Sequence, residues 1–227
     1  MTSLSIVVPV LDEAEGIVAT LASLAPLRAR GAELIVVDGG SRDATVARAQ
    51  ALADRVMEGP RGRARQMNAG AAVARGPTLL FLHADTRLPE DADRLIASAL
   101  GVAPLAWGRF DVAIEGHSRM LPVVAAMMNL RSRLSGIATG DQAMFVRRAD
   151  FEAVGGFPAI ALMEDVALSA ALRRACGWPA CLPARVSTSA RRWEQRGVWS
   201  TILLMWRLRM LYFLGAEPAS LARRYGR

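Results

Sequence analysis

The chain has 227 residues, 52% of them hydrophobic, enough for a full core and against a disordered chain. Its basic residues are all arginine and give a net charge of +7, concentrated at 191–227, where eight arginines stand against Glu194 and Glu217. Cys176 and Cys181 are too few and wrongly spaced for a zinc or CxxC site, and with no signal peptide at the N-terminus a reducing cytoplasm is expected.

Residues 4–10 (LSIVVPV) are a continuous apolar run and predict a strand buried on both faces, with Pro9 stopping ladder pairing near its end. Asp12, Glu13 and Glu15 then predict the first turn of a helix reaching about Arg28, where acids complement the helix dipole. Residues 33–38 (ELIVVD) predict a second buried strand, closed by the turn Asp38-Gly39-Gly40-Ser41 and a helix through Ala53. A helix over 62–75 carries Arg63, Arg65 and Asn68. A third buried strand follows at 78–82, and Pro89 announces a helix to residue 100. This alternation predicts an α/β fold with a doubly wound, mostly parallel sheet and right-handed crossovers.

Beyond residue 100 the pattern changes. Residues 107–114 alternate like a half-exposed strand, 120–134 read as a methionine-rich helix, and 142–147 as a strand introduced by Gly140-Asp141. A short helix at 151–157 ends in Gly155-Gly156, and a longer one runs from Met163 to about Cys176. In the longer helix Leu168, Ala171, Leu172 and Ala175 define a buried stripe that includes Asp165 and leaves Glu164 rotated off it. Residues 198–214 are strongly apolar but interrupted by Arg207 and Arg209, too broken for a membrane span. Packing on the domain or on a second copy, and lying in a membrane interface, both stay open.

No GxGxxG follows the first strand and no P-loop is present. Carboxylates instead recur at strand or loop ends: Asp12 and Glu13, Asp38, Asp85, Asp141, and Glu164 with Asp165. Any one is most simply a helix cap or a solvated turn. Together on one sheet edge they would repel one another unless a cation or a donor-rich ligand sat among them. His117 has no motif around it and reads as a surface histidine.

The stretches PVLDE, VVDGGSRDAT, RARQMNAG, FLHAD, GDQAMFVRR and VGGFP…LMEDVALSAALRR, in that order, resemble the family 2 glycosyltransferases of the GT-A fold. The variants HADTRLP, GDQ and SARRW are similar to those of a small bacterial subgroup, the radical-SAM/selenodomain-associated transferases. The resemblance runs from about residue 3 to 215. It implies a domain over 1–190, with a nucleotide-binding half at 1–100 and an acceptor half at 101–190, and a basic helical segment at 191–227. It further implies that Pro9, Leu11 and Glu13 border the nucleotide base and ribose, and that Asp38 receives the uracil N–H. Arg65 matches a basic residue near the nucleotide. His83-Ala84-Asp85 occupies the place of the DxD motif, in which Asp85 binds Mn²⁺ or Mg²⁺ on the sugar diphosphate. His83 stands where the usual first Asp is missing; imidazole is a poorer partner for Mg²⁺ than for Mn²⁺, and a hydrogen bond to ribose or backbone is its alternative role. Asp165, beside Glu164, matches the catalytic base, and Asp141 and Gln142 fall near the donor sugar and acceptor.

The implied reaction moves a sugar from a nucleotide donor, UDP-linked by this resemblance, to an acceptor hydroxyl. A cation stabilises the diphosphate as it leaves, a carboxylate deprotonates the acceptor, and one direct displacement inverts the anomeric carbon. Two rivals stay beside it. A sugar-nucleotide pyrophosphorylase calls for a glycine- and basic-rich loop after the first strand, where PVLDEAEG is acidic. A basic nucleic-acid-binding module calls for aromatics exposed among arginines, which only Arg191-Arg192-Trp193 and Trp206-Arg207 offer, so no nucleic-acid partner is expected. The acceptor is open between a small molecule and a lipid-linked one.

Overall fold

The computed structural model describes residues 3–102 and 104–226. In chain order the first half holds β1 (Leu4–Val10), α1 (Ile17–Ser23), α2 (Ala25–Ala29), β2 (Glu33–Asp38), α3 (Thr45–Ala49), β3 (Arg55–Glu58), α4 (Arg63–Val73), β4 (Thr78–Phe81), β5 (Thr86–Arg87) and α5 (Ala92–Leu100). The second half holds β6 (Trp107–Glu115), α6 (Leu121–Ser135), a 3-10 turn (Gly140–Gln142), β7 (Met144–Arg147), α7 (Arg148–Ala153), α8 (Glu164–Cys176), β8 (Ala180–Ser189), α9 (Arg191–Arg196), α10 (Val198–Phe213) and α11 (Pro218–Tyr225).

The strands form one sheet in the order β3-β2-β1-β4-β7-β6-β8-β5. The first four run parallel, β7 lies antiparallel to β4 and β6, β8 runs parallel to β6, and β5 pairs antiparallel with β8. Alternate residues of the central strands feed opposite cores, as the pleat requires. Ile6, Val8, Leu34, Val36 and Leu80 pack with α1, α2, α5 and α6, whereas Val7, Ile35, Val37, Leu79 and Phe81 pack with α4, α7 and α8. The sheet is therefore covered on both faces, as its unbroken apolar runs predict.

Several elements differ from expectation, each for a local reason. The acids at 12–15 do not open a helix. Asp12 sits at φ +53°, and the N–H groups of Asp12, Glu13 and Ala14 donate to Ser41 Oγ (2.9 Å), Thr45 Oγ1 (2.8 Å) and Asp43 Oδ2 (3.0 Å). The loops after β1 and β2 are thereby tied together, and α1 begins only at Ile17. The helix after β2 is confined to α3, leaving room for the short edge strand β3. β8 escapes a pattern reading because Pro183 interrupts it. The ladder with β6 steps from Phe110–Leu182 to Asp111–Arg185, so Pro183 sits in a bulge where its missing N–H is not needed. β6 is buried along its first half rather than half-exposed, since β7 and β8 pair on either side of it.

The C-terminal segment packs on the domain. Leu208, Leu221, Ala222 and Tyr225 form a third core with Leu162, Met163 and Val166 at the start of α8. Glu164, expected off the buried stripe of α8, is buried on the face of Leu168 and Leu172, because residues four apart share one helix face, whereas Asp165 is only partly buried and Ala175 is exposed. Trp199, Leu203, Trp206, Phe213 and Leu214 remain exposed along α10 and just after it, Trp199 and Trp206 bordering a cleft. Among the described residues no helix is long and apolar enough to cross a membrane.

Candidate active site

Because β7 runs antiparallel to β4, the turn that precedes it lies on the same sheet edge as the end of β4. The carboxyl end of β8 reaches that edge too, where the Ser189 N–H donates to the Asp85 carbonyl (3.2 Å). These ends, with α6, the start of α8 and the tail helices, enclose a cleft of about 750 Å³. His83, Asp85, Asp141, Glu164 and Asp165 all line it. Residues from three separate stretches of sequence therefore meet in one place.

His83 is clamped at the floor. Its Nδ1 lies 3.2 Å from Asp141 Oδ1, while Nε2 is buried with no partner among the described residues. A Cβ on Gly140 would come within 2.3 Å of that Nε2, so only glycine fits the start of the turn. Enclosure in the cleft acts to raise the pKa of Asp141, but the bond and charge of His83, with Arg63 and Arg192, outweigh it and hold the carboxyl at about 2. Asp141 is therefore a fixed anion. Gln142, next in the chain, is buried and points away from the cleft: its amide holds the turn through Thr139 N–H (3.2 Å) and Asn129 Oδ1 (3.3 Å).

Asp165 occupies the first turn of α8 behind Met163, whose φ of +68° is left-handed. Its Oδ2 accepts from the Gly140 N–H (2.8 Å) and its Oδ1 from the Val166 N–H (2.7 Å). Two backbone donors thus aim the carboxylate while each oxygen keeps a lone pair toward the cleft. Glu164 is buried beside it. Of the three non-glycine residues with positive φ among those described, Met163 and Ala143 flank this site and Asp12 lies at the neighbouring strand end.

Asp85 is exposed just before β5, and among the described residues only the Thr86 Oγ1 donates to its carboxylate (3.3 Å). No group of three or more His, Cys, Asp or Glu able to hold a metal is found among the described residues. One exposed carboxylate can hold Mg²⁺ or Mn²⁺ when phosphate oxygens and water fill the other positions, so Asp85 fits such a cation. Glu13 stands near by: burial raises its pKa, the charge of Arg191 opposes this and that of Asp85 adds to it, and Arg191 Nη2 lies 3.5 Å from its Oε2.

The other expected nucleotide residues lie along the same edge outside the cleft lining. Asp38 is buried, and both its oxygens accept from its own turn: Oδ2 from the Gly40 and Ser41 N–H groups (2.9 Å each) and Oδ1 from Ser41 Oγ (2.5 Å). Pro9 is buried within β1, Leu11 is half-buried, and the Ala84 carbonyl accepts from Thr20 Oγ1 (2.5 Å). Arg65 is exposed and outside the lining; Arg63, two residues earlier on α4, lines the cleft instead. Arg131, Arg191, Arg192 and Arg209 line it as well. None of these four was among the expected site residues: the SARRW stretch holds Arg191 and Arg192 without assigning them a role, and nothing local marks Arg131 or Arg209, which reach the site because α6 and α10 wall it. Gln66 was missed too: its Nε2 donates to the carbonyls of Val10 (2.8 Å) and Val37 (2.9 Å), pinning α4 to the ends of β1 and β2.

A search of curated proteins finds no significant match. Among solved structures, residues 1–349 of TarS from S. aureus align with a TM-score of 0.67 at 18% identity, over 83% of this chain and 61% of that one. Glucosyl-3-phosphoglycerate synthase from Mycobacterium tuberculosis, in a complex with Mn²⁺, UDP and glucosyl-3-phosphoglycerate, aligns with a TM-score of 0.62 at 20% identity, over 82% and 71%. The mannosyltransferase PcManGT from Pyrobaculum calidifontis, in complex with GDP-Man and Mn²⁺, gives 0.66 at 21%, over 98% and 68%. At these identities the likeness is one of fold, which is the GT-A fold, and the chain spans only about three-fifths of the TarS structure. The sequence itself matches the model of glycosyl transferase family 2 over residues 5–151, more than half the chain, and the protein belongs to that family.

Proposed function

We propose that the cleft transfers a sugar, with inversion, from a UDP-sugar to an acceptor hydroxyl. The observation that carries this reading is the convergence of Asp85, Asp141 and Asp165 in one cleft among Arg63, Arg191 and Arg192. The arginines balance the charge of a diphosphate, and Asp38 at the adjacent strand end is the acceptor for the ring N–H of uracil. Asp165, oriented by the Gly140 and Val166 N–H groups, takes the proton of the acceptor hydroxyl as its oxygen bonds to the anomeric carbon. The bond from that carbon to the diphosphate breaks on the opposite side, and UDP departs with the electron pair. Asp141 stays ionised beside the reacting sugar. Mn²⁺ or Mg²⁺ held by Asp85 would supply Lewis-acid stabilisation of the departing diphosphate; the Mn²⁺ complexes of two structural neighbours support that choice. The HADTRLP, GDQ and SARRW variants support placement in the radical-SAM/selenodomain-associated subgroup.

The test is UDP release from a panel of UDP- and GDP-sugars. Asp165→Asn is expected to keep its fold and UDP affinity but lose roughly 10²–10⁴-fold in transfer. Were Asp165 only a helix cap, the same change would cost little, because Asn caps equally well. EDTA and Asp85→Ala should each abolish turnover, with Mn²⁺ restoring the EDTA-treated enzyme at least as well as Mg²⁺. Tighter binding of GDP than UDP would sink the assignment of Asp38, and full activity in EDTA would sink that of Asp85.

The same reading puts the reaction in the cytoplasm, at the inner face of a membrane. The exposed apolar side of α10 with the exposed Arg207, Arg223 and Arg224 supports this, since it suits an anionic bilayer surface.

A further inference from the structure

The arginines of the cleft fall into two groups. Arg63, Arg191 and Arg192 cluster with Asp85, Glu13 and Asp141, on the side where a diphosphate would sit. Arg131 of α6 and Arg209 of α10 face each other across the far side and feel the charges of Asp165 and Asp141. Nε and one Nη of Arg131, and Nε of Arg209, are buried with no acceptor among the described residues. Burial depresses both guanidinium pKa values, that of Arg131 to about 10 with Arg209 adding to the effect. Arg109 shows how this fold treats an arginine buried for structure alone. It is fully buried, and its guanidinium is paired with Asp111 and donates to Ser132 Oγ (3.0 Å) and the Asn129 carbonyl (3.2 Å). Buried N–H groups left without acceptors are costly, so the cationic pair on the far side calls for an anion that the described residues do not place against it.

One diphosphate is all the donor brings, and the first group suffices for it. The walls leading from Arg131 and Arg209 to the cleft mouth are apolar, with Val123 and Met127 of α6 and Trp199 and Trp206 of α10 all exposed there. We infer that the acceptor is an amphiphile carrying a phosphate monoester and a separate hydroxyl on an apolar stem: Arg131 and Arg209 hold the phosphate, and the hydroxyl gives its proton to Asp165 as its oxygen bonds to the anomeric carbon. Two guanidinium groups match a phosphate dianion in charge and in forked donor geometry. The stem lies between α6 and α10. This names the acceptor class for the transferase reading above and rests on it.

The test is calorimetry on the full chain with octyl phosphate, inorganic phosphate, octyl glucoside and UDP as separate probes. Octyl phosphate is expected to bind at least tenfold more tightly than either inorganic phosphate or octyl glucoside. Arg131→Gln/Arg209→Gln should weaken octyl phosphate at least tenfold while UDP affinity stays within about twofold, and Arg131→Lys/Arg209→Lys should recover part of the loss. Among the described residues neither side chain makes a hydrogen bond that the variants would remove, and retained UDP binding reports their folding. Equal octyl phosphate binding by wild type and the Gln pair overturns the inference. So does inorganic phosphate binding as tightly as octyl phosphate, which would reduce the site to a free-anion site, or an equal loss of UDP affinity, which would give the pair to the donor. A wild-type chain that binds octyl phosphate through these arginines but does not bind UDP leaves this site standing and removes the transferase reading instead.

Discussion

His83 and Asp141 illustrate how much of this site is decided at single side chains. The His83 ring has its Nδ1 committed to Asp141 and its Nε2 pressed against Gly140. Held in this way, His83 positions Asp141. The consequence for acid stability follows from the sign of the shift. Asp141 is lowered to about 2 from the ordinary 3.8, so its pairing stabilises the fold at higher pH and is lost as pH falls through that interval. Asp141→Asn should therefore be less stable than wild type at about pH 5, with the gap closing toward about pH 2, in denaturant titrations repeated across that range. A gap that does not change with pH would mean that the contact between His83 and Asp141 contributes nothing.

At the scale of elements, α4 sets the distance between the sheet and the nucleotide edge. Gly70 lets this helix approach β1: a Cβ there would meet Val7 Cγ1 at 2.4 Å, and Val7 is wholly buried. Gln66 and Asn68 then fasten it, Asn68 exchanging hydrogen bonds with the Phe157 N–H (3.0 Å) and carbonyl (2.8 Å). Gly70→Ala is expected to push α4 outward and cost about 1–3 kcal/mol in chemical denaturation, the usual range for overpacking. Because Gln66 bonds to the ends of β1 and β2, the shift should also weaken UDP binding. A stable Gly70→Ala protein would show that α4 has slack the packing does not suggest.

For the molecule as a whole, the tail determines both the enclosure of the cleft and the character of its mouth. Without α10 and α11 the start of α8 would lose the cover of Leu208, Leu221 and Tyr225, and the far wall of the cleft would be absent. The outer side of α10 leaves large apolar residues in water, an arrangement that marks an interaction surface. Anionic liposomes should float the detergent-free protein, less so as salt rises, because arginines flank that surface. Trp206→Glu should reduce flotation. A protein that stays off the liposomes at low salt and sizes as a dimer would assign the face to a second copy.

The strands β1, β2 and β4 and their cores were legible in the sequence because strands buried on both faces are written as unbroken apolar runs, whatever surrounds them. The strand-end carboxylates were legible for the same reason, since each marks where such a run stops. Interrupted or minimal strands were not. β5 has two residues and β8 holds a proline, and both exist because neighbouring strands supply the ladder. The burial of Glu164 with Leu168 and Leu172 was likewise decided by tertiary packing, as a helix's own spacing cannot fix how the helix is rotated against the sheet. The choice of Arg63 over Arg65 depends on how α4 is rotated against β1, and the meeting of Arg131 with Arg209 joins two helices far apart in the chain. Local sequence determines where chain segments become strands and where charge interrupts them; which charges then face one another is set by long-range packing, whose contacts leave no periodic mark in either partner alone.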